Sequence, residues 1–219
     1  ATSYSNLAMI QQDQRDLSGA RENMERAIAI QKKHFAPNHP TFATSYSNLA
    51  LIQQDQGDLP GAQASIEAAI VIAEKHLGAD HPNLAIMRSN LALVQQEQND
   101  LSGARKNMER SIAIKQKYFA TDHPTFAISY SNLATMQIDQ GDLAAARLSM
   151  EQALAIQMKH FGPDHPNMAT VYNNLAHIAV DQSNIPEAVT LWRRSYPIRL
   201  KALGVFGKID PHTIWAGVE

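Results

Sequence analysis

Five asparagines, Asn6, Asn48, Asn90, Asn132 and Asn174, follow one another at a constant 42-residue interval, and an acid accompanies each. The acids are Asp13, Asp55, Glu97, Asp139 and Asp181, always seven residues further on. Seven residues is close to two helical turns, so each asparagine shares one side of a helix with its acid. Met9, Leu51, Leu93, Thr135 and His177 stand between them, and Thr2, Thr44, Ile86, Ile128 and Thr170 stand one turn ahead. A carboxamide carries one acceptor and two donors, enough to pair with both the N–H and the C=O of an extended peptide. A row of them can grip a peptide backbone whatever its side chains. The alternative is that each asparagine bonds a neighbouring helix and sets the twist of a stack. The acidic row favours a basic ligand. Its alternative is local, with the acids bridging to Gln14, Gln56, Gln98, Gln140 and Gln182. Arg88 is the only cation that the sequence places near this face.

Other chemistry finds little support. His34/His39, His76/His81 and His160/His165 recur five residues apart, but each pair straddles a loop, and Tyr118 replaces the partner of His123. No cysteine completes zinc-finger spacing. Helix termination and capping account for these histidines, and no metal is expected. No glycine-rich phosphate loop, HExxH or nucleophile elbow is present, so neither a catalytic site nor a cofactor is expected. A net charge of −2 over 219 residues lacks the basic footprint of nucleic-acid binding. No stretch reaches the ~18 apolar residues of a membrane span, and no signal-peptide pattern opens the chain. Cytoplasmic localisation is the default.

The rows need helices to carry them, and the 42-residue period supplies these in pairs. In the unit from His39 to Asp80, helix A is expected from about Pro40 to Gln56 and helix B from the cap Asp58 to about His76. Gly57 fits the stop between them; at the same position Asn99 and Gly141 also suit, whereas Arg15 and Ser183 fit less well. Leu7, Leu49, Leu91, Leu133 and Leu175 share a buried phase in helix A. In helix B, Ala20, Ala62, Ala104, Ala146 and Ala188 sit where two helices approach, with Met24, Ile66, Met108, Met150 and Trp192 one turn later. This small–large pattern predicts an all-α solenoid of antiparallel helix pairs. Pro197, inside the last helix B, is expected to kink or end it. Both ends read as cuts within a longer protein: Ala1–Tyr4 repeats Ala43–Tyr46, and Asp210–Thr213 resembles the start of another unit. Residues 1–200 form an array of about five repeats, and 201–219 are a cap carrying Phe206, Ile209 and Trp215, a loose tail or the start of a further repeat.

Tyr46, Leu49-Ala50, Ala62, Ile66 and Ala69 occupy the offsets of the tetratricopeptide repeat. The 42-residue length, the Asp-His-Pro opening, Asn-Leu-Ala in helix A and Gln-Gly-Asp at the turn resemble the kinesin light chain subclass and its bacterial relatives. The resemblance implies a right-handed superhelix whose A helices line a concave groove. It also implies protein or extended-peptide binding there, with groove asparagines on the peptide backbone. The acidic row departs from the family, in which kinesin light chains that bind tryptophan-acidic motifs offer basic residues. The rival reading is a sensor or oligomerisation segment of a larger signalling ATPase.

Overall fold

Each repeat turns at a residue in the left-handed region: Arg15, Gly57, Asn99, Gly141 and Ser183 all have φ between 62° and 77°. Arg15 and Ser183 therefore adopt the same backbone as the glycines, despite the steric cost to a side chain. After the turn an aspartate caps helix B, and its carboxylate accepts the N–H three residues on (Asp16 from Gly19, Asp58 from Gly61, Asp100 from Gly103, Asp142 from Ala145). Asp58 also accepts from Arg21 of the preceding repeat at 2.9 Å. Asp58→Ala is expected to lower stability by about 1 kcal/mol, read from urea denaturation; an unchanged midpoint would show that the cap contributes nothing.

The computed structural model describes residues 1–202, so the expectations for Phe206, Ile209 and Trp215 lie outside the described residues. The helices are α1 (Thr2–Asp13), α2 (Leu17–His34), α3 (Thr41–Asp55), α4 (Leu59–Leu77), α5 (Pro82–Glu97), α6 (Leu101–Lys115), α7 (Thr125–Asp139), α8 (Leu143–Phe161), α9 (Pro166–Asp181) and α10 (Ile185–Ala202). They form two compact units, one of α1–α6 and one of α7–α10. In the first, α1 packs on α2, α3 on α4 and α5 on α6, while α2 meets α3 and α4 meets α5. The A helices α1, α3 and α5 also touch in succession. In the second, α7 pairs with α8 and α9 with α10, and α8 joins the pairs.

The expected alanine row is fully buried, and Met24, Ile66, Met108 and Met150 fill the space a turn later. Trp192, in the same phase, is only half-buried. Leu49, Leu91, Leu133 and Leu175 are buried, but Leu7 is 44% exposed. In α3, α5 and α9 the corresponding face lies under the preceding B helix; among the described residues none covers α1. Pro197 does not end its helix: α10 continues to Ala202, although Pro197 offers no N–H to the carbonyl of Arg193.

The histidines serve the connections. Nδ1 of His81 and of His165 caps a helix by accepting from the N–H of Asn83 and of Asn167. Nε2 of His76 and of His160 bonds the carbonyl of Asn38 and of Asp122, fastening the preceding loop to helix B. Charge fastens the loops too. Asp80 accepts from Lys117 at 2.6 Å and Arg110 at 3.2 Å. The hydrogen bond from Lys117, with the charges of Lys117 and Arg110, holds the Asp80 carboxyl below its ordinary range. A carboxyl lowered in this way stabilises the fold above its unfolded-state value and ceases to do so as pH falls through the lowered one.

Candidate functional site

The A helices carry the asparagine and acid rows. Asn48 and Asn90 are half-buried on α3 and α5, Asn132 and Asn174 half-buried on α7 and α9, and Asn6 is exposed on α1. Among the described residues no hydrogen bond engages any of these five carboxamides. None belongs to the fully buried unsatisfied groups either, so each amide keeps its donors and acceptor at an accessible surface.

The acids are placed differently. Gln12 on α1 donates to Asp55 on α3 at 2.7 Å, and Gln54 on α3 donates to Glu97 on α5 at 2.6 Å. The bridging amides thus come from the preceding A helix rather than from the expected neighbours Gln56 and Gln98. Gln56 instead bonds the carbonyl of Leu17 and the guanidinium of Arg21. Asp139 is engaged as well. Asp55 and Glu97 nevertheless stay exposed, and an amide donor leaves their negative charge intact. Asp13 lines a shallow cleft with Met9, Gln12, Arg15, Leu51 and Asp55, and Asp181 is exposed at the end of α9.

Leu51, Leu93 and Thr135 are half-buried beside the asparagines, and the Thr135 hydroxyl donates to the carbonyl of Asn132. His177 is exposed, with its ring edge-on to Trp192 at 5.8 Å between centroids. Arg88 does not join the row. It lies two residues from Asn90, about 200° round the helix, and donates to Glu74 at 2.5 Å and to Asn107 at 3.0 Å. It fills the phase that Tyr46, Tyr130 and Tyr172 hold elsewhere.

Two apolar residues share this face with the asparagines. Ile86 and Ile128, one turn ahead of Asn90 and Asn132, are 58% and 66% exposed. The signal was present in the sequence, because Thr2, Thr44 and Thr170 hold the same phase. At these two open helical positions threonine gives way to isoleucine.

A tetratricopeptide repeat family model matches residues 1–64, 41–117, 84–159 and 125–201. A solved Podosopora anserina structure, assigned as a kinesin light chain of nearly identical TPR-like repeats, is 27% identical with a TM-score of 0.80, covering 92% of this chain and 95% of that one. BtubC (BKLC) from P. vanneervenii is 22% identical at a TM-score of 0.81, covering 92% and 80%. The apo form of RapI shares 14% identity at a TM-score of 0.79 over 99% and 80%, a likeness of fold alone. No curated protein sequence matches the chain. Among the described residues no helix is long and apolar enough to cross a membrane.

Proposed function

We propose that this chain, which belongs to the tetratricopeptide repeat family, is a non-enzymatic interaction module that holds an extended peptide along its A helices. The observation that carries this reading is the set of accessible carboxamides without partners among the described residues, Asn48, Asn90, Asn132 and Asn174, repeated at one phase. An asparagine serving only to join helices would spend its amide on a neighbour. Here glutamines do that work, through Gln12 and Gln54. In this reading each unit carries its own run of asparagines, and Ile86 and Ile128 take apolar side chains of the ligand. The exposed carboxylates of Asp55 and Glu97 favour lysine or arginine in the peptide.

The test is calorimetry with a peptide selected on an array. Asn90→Ala and Asn132→Ala should each weaken binding by about 0.5–1.5 kcal/mol, the worth of one hydrogen bond, with little change in stability. Glu97→Gln should weaken basic peptides more than neutral ones, and the difference should shrink with salt, since exposed charges are screened beyond about 10 Å at 0.1 M. Full affinity in both asparagine variants would sink the reading. Equal losses for basic and neutral peptides would remove the charge preference and leave the backbone grip.

A further inference from the structure

One set of side chains occurs twice in the chain, in two different arrangements. Asp80, at the end of the second repeat, receives both Arg110 and Lys117 of the third, at 3.2 and 2.6 Å. The same positions 84 residues later are Asp164, Arg194 and Lys201. There, among the described residues, no hydrogen bond or ion pair joins the three. Instead all three line a cleft of about 450 Å³. That volume falls in the range of small-molecule sites, about 300–1,000 Å³.

The surroundings of the two copies differ as much as their bonding. Around Asp80 stand Glu74 of the second repeat and Arg88 of the third, bonded to each other. The later copy has Tyr172 and Met158 at those two positions, and Pro197 where the third repeat has Ala113. Its walls are therefore apolar, made of Met158, Pro163, Tyr172, Pro197 and Ile198. The Arg194 guanidinium lies over the Tyr172 ring, 5.9 Å from its centroid. A related cleft beside Tyr46 is also apolar, but Ala68 stands there at the position of Arg194. Two cations facing one apolar cleft are thus peculiar to the last repeat among the clefts compared.

We propose that the cleft beside Tyr172 binds a small amphiphilic carboxylate. Its head takes the place between Arg194 and Lys201 that the Asp80 carboxylate holds between Arg110 and Lys117, and its apolar body lies on Met158, Pro197 and Ile198. Asp164 leaves one net positive charge in the lining, which suits a monoanion. The chemistry is shared by a free aliphatic acid and by the terminal carboxylate of a peptide ending in a large apolar residue. This site is independent of the asparagine row.

Calorimetry on the full chain, with octanoate and N-acetyl-phenylalanine as probes and octanamide as the neutral control, tests it. At least one carboxylate should bind, and octanamide about tenfold or more weaker than octanoate, since charge-assisted bonds dominate the head. The tighter of the two carboxylates identifies the source. Arg194→Gln and Lys201→Gln should each weaken binding about tenfold, whereas Arg110→Gln, in the closed copy, should leave it unchanged. Met158→Glu with Tyr172→Arg imports the filling around Asp80 and should abolish binding. Should that variant unfold, the exposed Arg194 and Lys201 substitutions still decide the matter. Equal affinity for octanoate and octanamide, equal losses from Arg110→Gln and Arg194→Gln, or no binding of either carboxylate at millimolar concentration would overturn the proposal.

Discussion

Phe126→Ala is expected to cost about 3–5 kcal/mol, the usual range for removing a fully buried aromatic. Phe126 is fully buried in the first turn of α7, its ring 6.0 Å from that of Tyr130. The position works as an anchor in the other repeats as well: Phe42, Leu84 and Met168 hold it and are all buried. Each fixes the start of helix A just after the His-Pro step, beneath the hydrogen bonds that hold the connection. Because repeat arrays are stabilised by nearest-neighbour terms, the loss should concentrate near α7 and α8. Hydrogen exchange should show these helices opening first, with α1–α4 changing least. A loss below about 1 kcal/mol, or protection lost evenly along the chain, would refute the anchoring role.

The repeat itself was legible because several independent signals share one period. Apolar phase, small residues at helix crossings, turn residues and aspartate caps all recur every 42 residues, and they agree on helix pairs. The helix boundaries came within about a residue or two, as capping chemistry allows. Arg15 and Ser183 show the limit of local preference: both take the left-handed turn that suits glycine, because packing on either side fixes the chain there. Pro197 shows it again, since its helix is held by buried Ile198 and Leu200 beyond the missing hydrogen bond.

Side-chain partners were less legible, because they depend on which neighbour a face meets. Periodicity placed Asp55 and Glu97 on the face of the asparagines but could not tell that Gln12 and Gln54, on the preceding A helix, would reach them. Arg88 followed the same logic. Ile86 and Asn90 lie on the face of the asparagine row, yet a step of two residues turns Arg88 towards Glu74 and Asn107. The contrast between Asp80 and Asp164 is the clearest case. Acid, arginine and lysine are identical in type and spacing, and only the residues around them, Arg88 against Tyr172 and Glu74 against Met158, distinguish a closed ion cluster from an open cleft.

Ala104→Leu is expected to destabilise the chain by about 1–3 kcal/mol through overpacking. Ala104 has no exposed surface, and neither have its counterparts Ala20, Ala62, Ala146 and Ala188. All five lie one turn into helix B, just after the capping aspartate or Asn184 has fixed the start of the helix. The side chain cannot escape by shifting the helix, because Asp100 holds the N–H of Gly103 immediately before it. Three added heavy atoms must instead push α6 from α5 or force neighbouring side chains off their rotamers. Val71→Leu, which adds one heavy atom at a position 64% exposed on α4, is the surface control and should change stability by no more than about 0.5 kcal/mol. Urea denaturation of the two variants separates crowding from a general effect of added hydrophobic bulk. Equal stability of the Ala104 and Val71 variants would mean that the helix pair yields at its crossing. The alanine row would then be a consequence of the repeat rather than a requirement of its packing.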